Sequence, residues 1–179
     1  MVGLVGAVSA LAATGCAASP PIRLAPPIPP DPLDLSGYAT TPCDLLRADR
    51  ISWRHLASPG VIGHDADVTS CRWRSVDGTH PSIAAGADMS HDLESVYRGR
   101  AGFGSFQPAE VSHYPAADTT ASGQRPVDGS CTTRVGVASD SLLIVTATYP
   151  GRRSRSAKDP CAAAEDFAFA VITQMLGSS

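Results

Sequence analysis

Cysteine has the most definite chemistry in this chain, because thiols form disulfides, bind metals and accept lipids. There are five of them, at Cys16, Cys43, Cys71, Cys131 and Cys161. An odd count in an exported protein leaves one cysteine outside the intramolecular disulfides. Cys16 directly follows an apolar run near the N-terminus. We therefore interpret Cys16 as the odd one and predict two disulfides among the other four.

The pairing of these four cysteines has three possible solutions. Cys43 and Cys161 each follow a proline at a predicted helix start, whereas Cys71 and Cys131 each begin a predicted hairpin. We predict the disulfides Cys43–Cys161, between the helix starts, and Cys71–Cys131, between the hairpins. A four-cysteine zinc site is the alternative, but structural zinc ligands normally come in close pairs such as C-x₂-C, which this chain lacks.

Cys16 is predicted to carry a lipid. Residues 1–15 form an apolar run with the length of a signal-peptide hydrophobic segment, too short to span a bilayer. The string Leu11-Ala12-Ala13-Thr14-Gly15-Cys16 resembles a bacterial lipobox, whose cysteine receives diacylglycerol and becomes the new N-terminus. Acyl chains on Cys16 would anchor the protein to the extracytoplasmic face of the cell membrane. The alternative is a secreted protein without a lipid.

Proline dominates the chain after Cys16. Residues 17–35 hold seven of the fifteen prolines. Such a composition favours extended polyproline II, a semi-rigid spacer of about 3.1 Å per residue. The sequence therefore predicts a signal peptide over 1–15, a proline-rich tether over 16–37 and a disulfide-stapled domain over 38–179.

Helix signals lie at both ends of the predicted domain. Thr41-Pro42-Cys43-Asp44 has the capping residue, proline and acid of a helix start, and Asp159-Pro160-Cys161 repeats the pattern. Apolar residues at helical spacing follow Cys161 as far as Gly177, which ends that helix. A short helix is predicted over 90–99, with Ser90 as its cap.

Strand signals lie between these helices. Residues 71–76 and 80–87 are predicted to form a hairpin around Asp77-Gly78, and residues 131–138 and 142–149 a second one. An edge strand is predicted over 109–115, before a polar loop over 117–129. The predicted fold is α+β, an antiparallel sheet with helices packed on one face and two disulfides.

A family resemblance rests on four features in a fixed order. They are the lipobox, an early Pro42-Cys43, a strand with Cys71-Arg72-Trp73, and Cys131 ahead of the last helix, which starts at Asp159-Pro160-Cys161. Together they resemble the secreted lipoproteins of mycobacteria and other actinobacteria grouped as domain of unknown function 3558. The resemblance covers residues 38–177 and the lipid signal. It implies residence in the cell envelope and structural cysteines, and it brings no established catalytic residues.

Other candidate residues have ordinary explanations beside the functional ones. His91 and Glu94 would share a helix face and could bind a metal, but acids are common at helix starts. The stretch His64-Asp65-Ala66-Asp67 lacks the spacing of a calcium loop, and Gly102-Phe103-Gly104-Ser105-Phe106 is not a G-x-S-x-G nucleophile elbow. Trp53 and Trp73 are candidates for a groove or for the core.

Charge limits the partners of the protein. The net charge is only −3, which argues against nucleic acid, since that partner requires a basic surface. The basic loop over 151–158 could touch anionic headgroups. We predict no metal, no cofactor and no catalytic residue.

The predicted function is that of a non-catalytic binding or interaction module, anchored in the membrane through Cys16 and directed at an envelope protein or a lipid. The alternative is a carrier or sensor of a lipid or small ligand, and a hydrolase ranks third. A deep apolar pocket would favour the carrier, and a shallow exposed patch the interaction module.

Overall fold

A single antiparallel sheet forms the centre of the protein. The structure is a computed structural model that describes residues 23–65, 68–125, 129–149 and 159–177. Within these ranges the sheet has seven strands: β1 (Val61–Asp65), β2 (Val68–Trp73), β3 (Ser82–Asp88), β4 (Ser105–Val111), β5 (Tyr114–Thr120), β6 (Ser130–Ala138) and β7 (Ser141–Thr148). Their spatial order is β1-β2-β3-β7-β6-β5-β4. The predicted α+β class and the two predicted hairpins are confirmed.

Three α-helices lie within the described ranges: α1 (Ala48–Ser52), α2 (Leu93–Arg98) and α3 (Pro160–Leu176). Helix α3 begins and ends as predicted, with the Asp159 carboxylate accepting the Cys161 N–H at 2.8 Å. Asp92, not Ser90, caps α2. The helix predicted from Thr41 is divided into a 3-10 helix, Pro42–Leu45, and α1, and the Thr41 side chain makes no capping bond.

The predicted edge strand exists as β4, but its predicted bounds, 109–115, are wrong because the chain reverses within them. Strands β4 and β5 are joined by Ser112 and His113, which both have positive φ, at 51° and 68°. Two consecutive positive φ angles are typical of the tight turn that Asn-Gly usually makes. Ser-His carries no such signal, so sequence patterns missed the hairpin. The first four residues of the predicted polar loop over 117–129 are accordingly strand, as part of β5.

The sheet has a core on each face. Helix α3 buries Phe167, Ala168 and Val171 against one face, where the Phe167 ring lies 5.4 Å from that of Trp73. Helix α2 packs Leu93 and Val96 on the opposite face. Alternating residues of each strand therefore serve different cores, and the helices are not confined to one face as the sequence suggested.

The predicted disulfide pairs are wrong, although two disulfides are present. Cys43 is bonded to Cys71 and Cys131 to Cys161, with Cα–Cα distances of 4.9 and 5.0 Å. The 3-10 helix that carries Cys43 packs on β2 and β3, while α3 packs on β6 and β7. Each helix start is thus linked to a strand beneath it and not to the other helix start. Proline before cysteine marked where a helix begins but not where that helix docks.

The proline-rich tether is shorter than predicted. Leu33 and Leu35 are buried in the α3-side core, and the Leu33 N–H donates to the Val137 carbonyl at 3.0 Å. The Tyr114 hydroxyl donates to the Asp31 carbonyl at 2.6 Å. Residues 24–35, which we call the strap, are therefore part of the folded domain, and the predicted boundary at residue 38 is too late. Residues 1–22, including Cys16, lie outside the described ranges.

Candidate functional site

A cavity of about 450 Å³ lies on the α2 face of the sheet. Its floor is the central strands, and α2 forms part of its wall through Ser95 and Val96. Most of the exposed lining surface is apolar, although about half of the lining side chains are polar. The lining residues are Val68, Ser70, Ala84, Ala85, Gly86, Asp88, His91, Ser95, Val96, Phe103, Thr132, Arg134, Leu142, Ile144 and Thr146. A largely apolar surface with several convergent polar groups is typical of a small-ligand site.

The space exists because β3 presents small residues to this face. A Cβ added at Gly86 would lie 2.5 Å from the Thr69 carbonyl oxygen, so the strands approach each other closely there. Ala84, two residues earlier on the same face, adds only a methyl group. Larger neighbours stand on both sides, since Gly86 pairs with Ser70 of β2 and with Ile144 of β7. Glycine is therefore needed at position 86 because β2 closes over it, whereas the small side chain of Ala84 leaves space for the cavity.

Ser70 leaves a polar atom without a partner in the wall of this cavity. Its side-chain oxygen is buried and has no hydrogen-bond partner among the described residues, and the residue is only 7% exposed. A buried hydroxyl without a partner costs about 1–3 kcal/mol. This oxygen exposes less than 1 Å², so a ligand with a donor or acceptor would pair with it, and remove that cost, after a small shift of the neighbouring side chains.

Arg134 supplies a positive charge to the cavity. Its guanidinium lies 5.0 Å from the centre of the Phe103 ring and donates to the Thr119 hydroxyl. Burial lowers the pKa of Arg134, and the charge of Asp88 opposes that effect. Arginine remains protonated in proteins and its planar fork suits carboxylate or phosphate. The cavity can therefore receive an anionic group on its β6 side.

Asp88 and His91 form a hydrogen-bonded pair at another part of the cavity. The buried Asp88 carboxylate accepts the Ser90 and His91 backbone N–H groups and lies 2.9 Å from His91 Nδ1. No hydrogen bond of the described residues joins His91 to a serine hydroxyl. The predicted alternative of a His91–Glu94 metal site finds no support in these contacts, because the Glu94 carboxylate binds the Leu24 and Ala25 N–H groups.

The remaining sequence candidates do not meet at this site. His64 Nδ1 lies 3.2 Å from the Thr69 hydroxyl, and the Ser105 hydroxyl lies 3.0 Å from the Thr120 hydroxyl. Trp73 is a core residue, 2% exposed, whereas Trp53 is 86% exposed. Asp67 and the basic loop over 151–158 lie outside the described residues.

A surface cluster that the sequence analysis missed joins His55, Asp77 and His80. Asp77 Oδ2 lies 2.8 Å from His80 Nδ1 and 3.5 Å from His55 Nδ1. The two imidazoles are stacked with centres 4.1 Å apart and planes 3° from parallel. A metal must lie near the plane of each imidazole that binds it, and two parallel planes do not meet. As arranged, the cluster is a hydrogen-bonded group of side chains and lacks the geometry of a metal site.

An acidic pair, the buried Asp118 and the half-buried Glu165, lies near the Cys131–Cys161 disulfide. The Thr133 hydroxyl donates to Asp118 Oδ1 at 2.6 Å. Asp118 also lies close to the sulfurs of Cys131 and Cys161, but both sulfurs are committed to the disulfide and cannot serve as thiolate ligands. Burial raises the pKa of Glu165 to about 7, and a hydrogen bond to Asp118 and the charge of Asp118 act in the same direction.

This acidic pair predicts a pH dependence of stability. Because the pKa of Glu165 is raised on folding from 4.5 to about 7, the folded state favours the protonated form and loses stability as the pH rises between those values. Glu165→Gln should match the wild type near pH 4 and exceed its free energy of unfolding near pH 8 by about 1 kcal/mol, allowing for solvent screening. Urea unfolding at the two pH values measures this, with the exposed Glu110→Gln as control. An equal offset at both values would contradict it.

By its fold and its cavity, the protein is a disulfide-linked α+β domain with a ligand-sized cavity on one face of its sheet. The family model described as "Protein of unknown function (DUF3558)" matches residues 9–174. The chain therefore belongs to that family, as the order of its cysteine motifs suggested. No curated protein and no solved structure matches the chain. No helix within the described ranges has both the length and the apolar character to cross a membrane.

Proposed function

We propose that this protein is an extracytoplasmic binding protein, anchored to the membrane through acylated Cys16, which holds a small ligand in the cavity over Ala84 and Gly86. The observation that carries the proposal is the buried Ser70 hydroxyl without a partner in the cavity wall. Native proteins rarely leave such a group unpaired, and a functional site is a common reason. We propose that the protein is non-catalytic, because the binding of a ligand alone accounts for the polar groups in the cavity.

The size of the cavity favours a small ligand over a protein surface. Ligand sites commonly enclose about 300–1,000 Å³, and this cavity of about 450 Å³ lies within that range. Its apolar floor suits a hydrocarbon portion, while Arg134 and Ser70 supply polar contacts at separate positions. A carrier or sensor is accordingly the form of binding protein that we favour.

A protein-interaction module is the second candidate, and it rests on strand β1. This strand lies at one edge of the sheet, and its Val61 and Ile62 are 68% and 53% exposed. Exposed apolar edge strands are common places for another chain to pair. Binding that survives changes in the cavity but is lost on substitution of Val61 and Ile62 would favour this candidate.

Ser70→Ala gives a test in which stability and binding move in opposite directions. Without ligand, the variant should be more stable by about 1 kcal/mol, or about 2–4 °C in melting temperature, because an unpaired hydroxyl is removed. It should also retain less ligand, since the proposed ligand bonds to this hydroxyl. Thermal unfolding of ligand-free protein, and native mass spectrometry of protein purified from its host, measure the two effects.

Ser82→Ala is the matched control for that experiment. The Ser82 hydroxyl accepts the Ser75 N–H at 3.1 Å, so its removal should destabilise the domain and leave ligand retention unchanged. A Ser70→Ala variant that is destabilised, or that retains as much bound mass as the wild type, would contradict the proposed site.

The proposed anchor predicts a change of location. Cys16→Ala should leave the protein unprocessed at the lipoprotein step or release it from the membrane, because acyl chains supply the attachment. Detergent phase partitioning of wild type and variant measures this, with Cys43→Ala as a control that removes a cysteine from the domain. If wild type and Cys16→Ala partition alike, the proposed lipid attachment is wrong.

A further inference from the structure

The strap fixes where the chain leaves the folded domain. The Leu24 and Ala25 N–H groups donate to the Glu94 carboxylate at 2.9–3.1 Å, and Ala25 packs in the core beneath α2. The hydrogen bond from Ala25 lowers the pKa of Glu94, which stays ionised and holds both donors. The chain toward Cys16 therefore leaves from α2, the helix that forms part of the cavity wall.

Chain length then limits how far α2 can stand from the membrane. Leu24 follows Cys16 by eight residues, and a fully extended chain spans at most about 3.5 Å per residue, or about 28 Å in all. The greatest possible distance between the domain and the membrane would be far larger if the strap were part of a free tether. With Cys16 acylated in the outer leaflet, the cavity side of the domain is held close to the bilayer.

The surface around α2 is suited to that position. Leu24, whose N–H bonds to Glu94 of α2, is 40% exposed, and Met89, which precedes α2 in the sequence, is 43% exposed. At the other end of α2, Arg98 is exposed and pairs with Glu94 at 2.7 Å, and Arg100 is exposed. Exposed apolar and basic side chains together favour contact with an anionic membrane surface.

The row of paired residues under the cavity sets the length and polarity of the ligand. Ser70, Gly86, Ile144 and Arg134 pair in order across β2, β3, β7 and β6. Three interstrand steps of about 4.8 Å separate the Ser70 and Arg134 backbones by about 14 Å. Between them lie Gly86 and Ile144, and the adjacent row of the floor holds Ala84, Thr146 and Thr132. The titratable groups that face the cavity are Arg134, Asp88 and His91, and the Asp88 carboxylate accepts two backbone N–H groups and keeps a negative charge that acts on Arg134.

We infer that the ligand is an anionic lipid of the membrane that anchors the protein, bound with its phosphate or carboxylate at Arg134, its acyl chain over Ala84 and Gly86, and an oxygen of that chain at the Ser70 hydroxyl. This inference rests on the proposed function, and it adds the class and the source of the ligand. The guanidinium can bind a phosphate or carboxylate in bidentate fashion. The strap keeps the cavity within reach of the leaflet that supplies the lipid.

Photo-crosslinking on vesicles tests the inference. The acylated full chain is placed in phosphatidylcholine vesicles that contain phosphatidylglycerol with a photoreactive acyl chain, and the crosslinked peptides are identified by mass spectrometry. We expect adducts on β3, β6 and β7. Arg134→Gln should reduce their yield about tenfold, the effect of losing one charge-assisted pair. The same charge change in Arg50→Gln, on α1 at the opposite face, should have no effect.

Two comparisons test the source and the headgroup. Photoreactive phosphatidylcholine should give about tenfold less adduct, because its net charge is zero. A flexible Gly/Ser insertion of about twenty residues after Ala18 should also lower the yield, since it frees the cavity from the bilayer. Equal yields for the two lipids, or adducts confined to α3 or β1, would overturn the inference.

A binding measurement in solution separates failure of the inference from failure of the proposed function. The unlipidated Cys16→Ser chain is titrated with dansylated undecanoic acid and with the matching neutral dansylated undecanol. We expect the acid to bind more tightly and to lose affinity in Arg134→Gln. Saturable binding of these probes without vesicle adducts would leave the binding function standing and overturn the membrane source. Absence of binding in both experiments would overturn both.

Discussion

Replacing Cys131 and Cys161 together by alanine should lower the free energy of unfolding by about 3–4 kcal/mol. The disulfide closes a segment of 30 residues, and the chain-entropy relation for a loop of that size gives an effect of this magnitude. It is a large part of the 5–15 kcal/mol that typically stabilises a folded domain. The bond also holds the first turn of α3 against β6, so its removal frees the start of that helix.

Urea unfolding of wild type and double variant measures the loss, in a Cys16→Ala background that prevents thiol exchange. The Cys43→Ala, Cys71→Ala double variant is a matched comparison, because its disulfide closes a segment of 28 residues and should contribute nearly as much. Peptide mapping without reduction identifies the pairs. A peptide containing Cys43 linked to Cys161, or a loss below about 1 kcal/mol, would contradict the assignment.

Phe167→Ala should cost about 3–5 kcal/mol, the range for a large aromatic side chain removed from a packed core. Phe167 is 1% exposed, and its ring lies against Trp73 with centres 5.4 Å apart. The contact joins α3 to β2 across one face of the sheet. Its loss leaves a cavity between the helix and the strands that also form the floor of the ligand site.

Phe169→Ala is the control for this prediction, since Phe169 lies on the same helix and is 53% exposed. Its substitution should change the free energy of unfolding by less than about 0.5 kcal/mol. Urea unfolding followed by far-ultraviolet circular dichroism measures both variants. Equal losses in Phe167→Ala and Phe169→Ala would contradict the packing of α3 described above.

Local sequence signals predicted where helices and strands lie better than they predicted which of these elements contact each other. Asp159, Pro160 and Gly177 mark both ends of α3, because capping and proline preferences act over only a few residues. The partners of Cys43 and Cys161 depend instead on which strands the helices cover, a property of the whole sheet. The Ser112-His113 turn was missed for the opposite reason, since its positive φ angles occur in residues that do not usually adopt them.

The sequence contained an indication that the strap packs on the domain, but the many prolines favoured its interpretation as a free tether. Leu33 and Leu35 are spaced as alternate residues of an extended chain, and both are buried against the domain. The proline-rich composition predicts an extended backbone, but extension does not imply freedom from the domain. Apolar residues at a spacing of two were the indication that one side of this segment packs.

The cavity could not be predicted from sequence. Ser70, Gly86 and Arg134 come from three strands, and only the register between β2, β3, β7 and β6 places them in one row. Each residue taken alone has an ordinary explanation in a strand. The unpaired state of the Ser70 hydroxyl in particular is a property of its surroundings, which no local pattern encodes.

The most direct test of the account is a map of amide chemical shifts in proton–nitrogen correlation spectra during titration with dansylated undecanoic acid. The Cys16→Ser full chain is the sample, and dansylated undecanol is the neutral comparison. We expect the largest shifts at Ser70, Gly86, Ile144 and Arg134, in the row that crosses the cavity floor. Shifts confined to β1 or to α3, or no saturable shifts at any site, would contradict a ligand site on the α2 face of the sheet.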